Sequence, residues 1–486
     1  MTDTIIQRME AAANANRDRI AYKCGDRAIT YGTLWDEARR CAACLRRQGS
    51  SPVVLFQDKR CETVIAMVAC LLAGRAYVPV DVKTPAGRVA QILEMTGAEL
   101  VLTDRPIDAP GAAVCTLREL EGLSGSSENE LPVGEFAREL DENRVAYMIF
   151  TSGSTGEPKG VPITAANLGN FANWIAGISP LCEYRNCNVL NQASFAFDLS
   201  VADIYYALGN GHTLIANEAD MRAEYDHIFE LFEREKINVA IMTPTCMKMC
   251  LLNDAFTEEN FPEFRCVYFC GERLEKRTVE RLFRHFPKLS VINAYGPTEA
   301  TSAVSAVTIT PEMLSAEEVL PVGEIASAAT EITVEDGEIV LRGASVFGGY
   351  LGGVEGGHFS KDGVNGYRTG DYGDIRDGKL YCGGRKDSQI KYMGYRIELA
   401  DIESNLLAID GVADCAVTAN LNAEGTVSAI RAFATVEPGG PDAAAIRSEL
   451  SRRVPAYMVP KKISIVSELP VNDNGKLDRK ALKQYD

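Results

Sequence analysis

The sequence predicts an α/β fold with a large N-terminal part and a small α+β C-terminal part, and three observations predict it. Short apolar runs alternate with helical patterns from Val53 onward, a rhythm that favours largely parallel sheets covered by helices. From about Val319 the texture changes to short strands punctuated by DG and GG, as in EITVEDGEIVLRG and YRTGDYGDIRDGKLYCGG, which indicates antiparallel hairpins and a β-rich portion. After the polar segment GRKDSQ the remaining chain runs helix, strand, strand, helix, strand in a ferredoxin-like order. A boundary at that segment divides the chain into residues 1–386 and 387–486.

Bulk properties narrow the function. At 486 residues, with 46% hydrophobic and 24% charged side chains, the chain has the composition of a soluble globular protein of two or more domains. A net charge of -17 argues against nucleic acid or an anionic membrane as a whole-molecule partner, so an anionic ligand needs a local site. Residues 1–20 carry charges throughout with no apolar h-region, and no apolar run is long enough to span a bilayer; a cytoplasmic protein is expected. The 14 cysteines are scattered, as reduced thiols are in a reducing compartment. Cys41 and Cys44 form a CxxC, but within EARRCAACLRR they extend the apolar stripe of a helix. His212, His227, His285 and His358 make no HExxH or other metal constellation.

In chain order, a helix over Thr4 to Glu10 is followed by a strand pair around GDRAITY and a helix from Thr33. Then come strand Val53 to Phe56, helix Glu62 to Ala73 with Gly74 as its stop, strand AYVPVD, helix Arg88 to Thr96 and strand ELVLTD. Gly111 to Asn143 reads as a surface connection with a short helix near Leu117 to Leu123. The apolar run Val145 to Phe150 ends in TSGSTGEPKG, Thr151 to Gly160. Its glycines allow close backbone approach, and its hydroxyls and Lys159 suit polyanionic oxygens. The spacing is not the GxxxxGK[ST] of a Walker loop.

Beyond it, a helix over Asn167 to Ile178 and a strand over Val189 to Phe197 lead into FDLS. Asp198 there reads either as a helix N-cap or as an anchor for a substrate ammonium group. Strands INVAIMTPT and FRCVYFCGE, helix Lys276 to Phe286 and strand LSVINAYGPTEAT follow. Tyr295 at that last strand's end suits stacking on a base, and Glu299 suits a magnesium ion beside phosphates. In open α/β sheets ligands gather beyond the carboxyl ends of strands. Lys476 occupies a polar turn, NGKLDR, near the C-terminus.

Taken together, ITYGTL, AGRAYVPVD, TSGSTGEPKG, FDLS, NAYGPTE, YRTGDYG, GRKDSQIK, YMGYRIEL, VPAYMVP and NGKLDR resemble the adenylate-forming superfamily. Within it they resemble the amino-acid adenylation domains of nonribosomal peptide synthetases, and FDLS with FCGE is similar to the D-alanine:D-alanyl carrier protein ligase type. Val82 departs from the proline usual after Asp81. The resemblance implies a large N-terminal domain of α/β subdomains with a β-barrel portion and a small mobile C-terminal domain hinged at Asp387.

It also implies roles. Thr151, Ser152, Gly153, Ser154, Thr155, Gly156 and Lys159 would hold ATP phosphates, with Thr155, Glu299 and Lys476 in catalysis and Glu299 on magnesium. Asn293, Ala294, Tyr295, Gly296 and Thr298 would surround the nucleotide, Tyr295 stacking on adenine. Asp371, helped by Arg385, would accept the ribose hydroxyls, and Lys476 would bridge the substrate carboxylate and the α-phosphate. Asp198 would bind an α-amino group, with Leu199, Ala202, Ile241, Tyr268, Cys270, Ala294, Ser302 and Ala303 around the side chain. That lining implies a small or apolar amino acid, D-alanine among the candidates.

The implied reaction is adenylation by ATP, then transfer to the phosphopantetheine thiol of a carrier protein. The alternative, an acyl- or aryl-CoA synthetase of the same superfamily, would not need Asp198. No HHxxxD, GxSxG or carrier-type serine motif occurs, so the carrier is expected in trans. Of basic residues for docking it, Arg396 and the Arg452–Arg453 pair read as solvated surface.

Overall fold

Period-two alternation decides which layer each strand serves. In the strand Val239–Met242, Val239 and Ile241 enter one core while Ala240 and Met242 enter another; along Cys266–Phe269, Cys266 and Tyr268 part from Val267 and Phe269 in the same way. Strands buried on both faces read in sequence as unbroken apolar runs, as parallel strands under helices do.

The computed structural model describes residues 4–122, 141–153, 156–218, 225–317, 319–386, 389–422, 425–470 and 481–482. Ser154, Thr155, Asp387 and Lys476 lie outside the described residues. Among those described, an eight-stranded sheet has the order Ser305–Ile309, Ser290–Tyr295, Cys266–Phe269, Val239–Met242, Asn188–Asn191, Thr213–Ala216, Ile20–Cys24, Arg27–Thr30. It is parallel within and antiparallel at both edges. A six-stranded sheet runs Ala113–Cys115, Leu100–Leu102, Val53–Phe56, Tyr77–Val80, Val145–Thr151, Lys159–Thr164, antiparallel only at the last pair.

One core joins the facing sides of both sheets to the helices Tyr31–Arg47, Cys61–Ala73, Ala165–Ile175 and Leu199–Gly209. Cys61–Ala73 is buried at every position but Glu62 and stops at Gly74, whose φ of 74° suits a residue without Cβ. Cys41 and Cys44 fill this core, and all 14 cysteines are free thiols. Helix Ala86–Thr96 covers the outer side of the six-stranded sheet, and helices Tyr225–Glu235 and Lys276–His285 that of the eight-stranded one.

The β-rich portion is a six-stranded antiparallel sheet over Gly323–Glu324 to Lys379–Arg385, in which His358–Lys361 pairs with Val364–Arg376. Next come a hairpin of Gln389–Tyr392 and Tyr395–Glu398, the helix Leu399–Leu407, and a three-stranded sheet of Val412–Leu421, Val427–Val436 and Lys462–Ile465 with its own core. No described helix is long and apolar enough to cross a membrane.

The first helix runs on to Ala15 and the one expected over Asn167 to Ile178 spans Ala165–Ile175; two further elements differ from expectation for a visible reason. The helix expected from Thr33 starts at Tyr31, because the Thr30 hydroxyl accepts the Thr33 N–H and caps it two residues earlier. The strand expected over Val189 to Phe197 stops at Asn191. There the chain turns, Phe197 N–H donating to Ser194 O, so Phe197 and Asp198 stand in a turn before the helix Leu199–Gly209.

Candidate active site

The carboxyl ends of both parallel sheets open toward the hairpin Gln389–Glu398, and the predicted residues gather there. Strand Val145–Thr151 enters the glycine loop and Lys159–Thr164 leaves it, with Thr151 paired to Lys159. A Cβ on Gly153 would lie 2.0 Å from Glu157 O, and Gly156 has φ +86°, so these two positions need glycine. The loop is tied to the C-terminal part. Ser152 Oγ donates to Arg396 O (3.1 Å) and accepts from Glu398 N–H (2.9 Å). Arg88 donates to Gly156 O and pairs with Asp401 at 3.2 Å. Burial pushes the Asp401 carboxyl up to about 6, against the pull of Arg88. Lys159 Nζ stands 5.5 Å over the Tyr350 ring.

Strand Ser290–Tyr295 delivers the nucleotide candidates. The Tyr295 hydroxyl donates to Asp371 Oδ2 at 2.6 Å, and Arg385 pairs with Asp371 Oδ1 at 2.6 Å, so three predicted residues form one buried cluster. Asn293 Nδ2 donates to Pro321 O. Gly296 lets the chain pass Ala303, whose Cα would be 2.5 Å from a Cβ there. The turn after it carries left-handed backbone at Thr301 and Ser302, φ 61° and 70°, held by Thr301 Oγ1 donating to Ser345 O. Non-glycine residues in that region store strain of about 1–3 kcal/mol and cluster at functional sites.

Glu299 is fully buried, and both its oxygens are engaged: the Tyr350 hydroxyl donates to Oε1, and Arg396 Nη1 to Oε2 at 2.5 Å. Burial would raise this carboxyl, but the charge of Arg396 and the two hydrogen bonds hold it below the usual range. Arg396 also reaches Tyr367 Oη at 3.4 Å. The reading of Arg396 as solvated surface is therefore corrected: its side chain is 19% exposed and lies in a buried ion pair. Its flanking residues YMG and IEL gave no sign of this, because the partner comes from a strand end 97 positions away. Arg452 and Arg453 lie against Glu449 at the surface.

Asp198 is different. It stands at the N-cap position but makes no capping bond; instead Thr298 Oγ1 donates to its Oδ2 at 2.6 Å. No salt bridge reaches it among the described residues, and burial holds its carboxyl above the ordinary range. Of the expected side-chain lining, Leu199 follows Asp198 in the chain and Cys270 lies within reach of its charge; Ala202, Ile241, Tyr268, Ala294 and Ala303 are buried in the large shared core, and the Ser302 carbonyl accepts from Cys270 Sγ at 3.8 Å.

The hairpin tip seals this end. Gly394 N–H donates to Glu272 Oε1 (2.7 Å), and a Cβ on Gly394 would meet Thr243 Cγ2 at 2.8 Å. Tyr395 stacks on Tyr457 at 3.8 Å and meets Phe197 edge-on at 4.6 Å. A cavity of about 520 Å³ lies among Ser152, Phe197, Thr243, Tyr395 and Tyr457, open beside the glycine loop. Sequence reasoning missed Arg88, Tyr350, Tyr367, Asp401 and Tyr457, and also Lys391, whose Nζ stands 5.8 Å over the Tyr295 ring and whose charge acts on Asp198. The available signal for Asp401 and Arg88 was a charge on an otherwise apolar helix face, which needs a partner when buried.

The AMP-binding enzyme family profile matches residues 9–351, and the AMP-binding enzyme C-terminal domain matches residues 401–476. A D-alanine--D-alanyl carrier protein ligase of Bacillus velezensis is 36% identical over 98% of both chains, and one of Lactococcus lactis is 37% identical over 90% of both. Among solved structures, a Vibrio cholerae adenylation domain in complex with glycyl-adenosine-5'-phosphate superposes with a TM-score of 0.84 at 24% identity, covering 99% of this chain and 97% of that one. With both parts of the family in order and a relative alike along nearly its whole length, the chain belongs to the AMP-binding enzyme family, an ATP-dependent ligase.

Proposed function

We propose that the chain adenylates a small amino acid with ATP and passes the aminoacyl group to the phosphopantetheine thiol of a carrier protein, with D-alanine a candidate substrate as in its relatives. The observation that carries this reading is Asp198. It is a half-buried carboxylate whose side chain is hydrogen-bonded, among the described residues, only by the Thr298 hydroxyl, and whose desolvation outweighs the distant charges of Lys391 and Arg396. Burying such a charge needs compensation, and an α-ammonium group supplies it.

In the first step a substrate carboxylate oxygen attacks the α-phosphorus, the α–β anhydride bond breaks and pyrophosphate leaves. The glycine loop's backbone and the hydroxyls of Thr151, Ser152 and Thr155 would bind the β and γ phosphates with Lys159, and Lys476 would stabilise charge between carboxylate and α-phosphate. Tyr295 would stack on adenine, and Asp371, oriented by Arg385, would take the ribose. Glu299 would supply a carboxylate to a magnesium ion, which would require the contact that Arg396 makes with it in this structure to open. Magnesium, when bound, neutralises repulsion between the two anions.

In the second step the thiol sulfur attacks the acyl carbon, its proton is lost and AMP leaves. The hairpin docked at the site supports an arrangement for this step, with Asp387 as hinge between residues 1–386 and 387–486 and the cavity beside Tyr395 and Tyr457 as the thiol's route. Free cysteines and ATP use fit a cytoplasmic setting.

Amino-acid-dependent ATP–pyrophosphate exchange tests the reading. We expect exchange with a small amino acid and none with fatty or aryl acids; exchange with those acids alone would move the chain to the CoA synthetases.

A further inference from the structure

Two of the residues expected around the substrate side chain carry hydroxyls that an apolar lining does not need. Tyr268 is fully buried and Ser302 is 2% exposed, and neither the Tyr268 hydroxyl nor Ser302 Oγ has a hydrogen-bond partner among the described residues. Buried hydroxyls are normally bonded, and leaving one unmet costs about 1–3 kcal/mol.

Both belong to one site. Tyr268 shares a strand face with Cys270, flanked by Ile241 and Ile292 on the neighbouring strands. Cys270 Sγ donates to Ser302 O, and burial with the nearby charge of Asp198 lifts its thiol to about 12. The helix that begins beside Asp198 packs on the adjacent strands and presents Ala202, a small residue, to this core. Ser302 is held in a left-handed backbone, φ 70°, where a glycine would be the unstrained choice; a serine kept there retains a hydroxyl in the pocket wall.

We propose that the side-chain pocket is built for a small amino acid bearing a hydroxyl, a serine rather than an alanine, with the Tyr268 hydroxyl and Ser302 Oγ as its hydrogen-bonding partners. The inference rests on the amino-acid adenylation reading above and goes further than the names of the relatives. A site that hydrogen-bonds a substrate hydroxyl rejects the analogue lacking it, because its own groups are then left unpaired. An alanine methyl would leave both oxygens unmet.

The test is ATP–pyrophosphate exchange by the full chain with both enantiomers of serine and of alanine, for the wild type, Tyr268→Phe, Ser302→Ala and Ser302→Thr. We expect kcat/KM for serine to exceed that for alanine of the same hand by about 10-fold or more. Tyr268→Phe and Ser302→Ala should each lower that ratio about 10-fold, while Ser302→Thr retains more of it than Ser302→Ala. The ratio is read within one protein, so a partly folded variant does not distort it. Preference for alanine in the wild type, or a ratio unmoved in both deletions, overturns the inference and leaves amino-acid adenylation standing. Exchange with neither amino acid overturns both.

Discussion

Two carboxylates at the mouth of the site were born alike and ended differently. Asp198 and Glu299 both stand just beyond strand ends of the same sheet, and burial works to raise both. Glu299 is answered from within the chain, by Arg396 and Tyr350, and its carboxyl is held low. Asp198 receives one hydroxyl and is held high. A buried anion without a cation stores a demand for one. At Glu299 an arginine of the C-terminal hairpin meets that demand directly; at Asp198 the charges of Lys391 and Arg396 act only from a distance, without an ion pair among the described residues.

The sharpest way to break the contrast is Asp198→Ala. Truncating one partner of a buried charge pair costs about 2–5 kcal/mol, so kcat/KM for the amino acid in pyrophosphate exchange should fall between about 30-fold and several thousand-fold. A fall below threefold would mean the ammonium is held elsewhere.

Arg396→Ala should act less on substrate binding and more on the arrangement. Removing one partner of a buried pair destabilises by about 3–5 kcal/mol, though hairpin undocking lets water reach Glu299 and brings the expected loss to the lower figure, about 3 kcal/mol. Denaturant unfolding measures it, and aminoacyl transfer to a carrier thiol should slow more than adenylation. Equal rates of both steps to the wild type, with unchanged unfolding, would remove Arg396 from this role.

The smallest expected effect is in pH. Because Asp198 is raised in the folded state, protons bind it more tightly there than in the unfolded chain; its contribution to stability is greatest at low pH and declines as pH rises from the usual aspartate range through its raised value. Binding runs the other way, since the protonated acid offers no charge to an ammonium group. The kcat/KM for the amino acid should therefore drop on acidification at a pH above the ordinary aspartate range. Asp198→Asn should abolish that limb. Glu299, held low, should contribute stability that is complete above its unfolded value and lost only as pH falls through its depressed one.

Much of the fold was legible along the chain because sheets and helices buried on set faces impose local periods. The runs at Val53, Val239 and Cys266, and Gly74 as a stop, needed no partner to be read. The turn at Phe197 and the early cap at Thr30 were missed because each depends on one side-chain or backbone bond that several local conformations could make. The site residues in TSGSTGEPKG, FDLS and NAYGPTE were found by motif. What joined them was not local, as the Thr298–Asp198 and Tyr295–Asp371 bonds span 100 and 76 positions.

By itself, then, the sequence determined the two-part α/β plan and the position of the glycine loop, and it singled out Asp198 and Glu299 as candidates, since composition, period and motif are properties of neighbours in the chain. Only the tertiary structure decided that Arg396 closes on Glu299 while Asp198 is met by the Thr298 hydroxyl alone, and that the Tyr268 and Ser302 hydroxyls are left unmet among the described residues. Charge pairing and desolvation act through space across distances of a few ångströms, and strand ends far apart in sequence meet only when the sheets and the small domain pack.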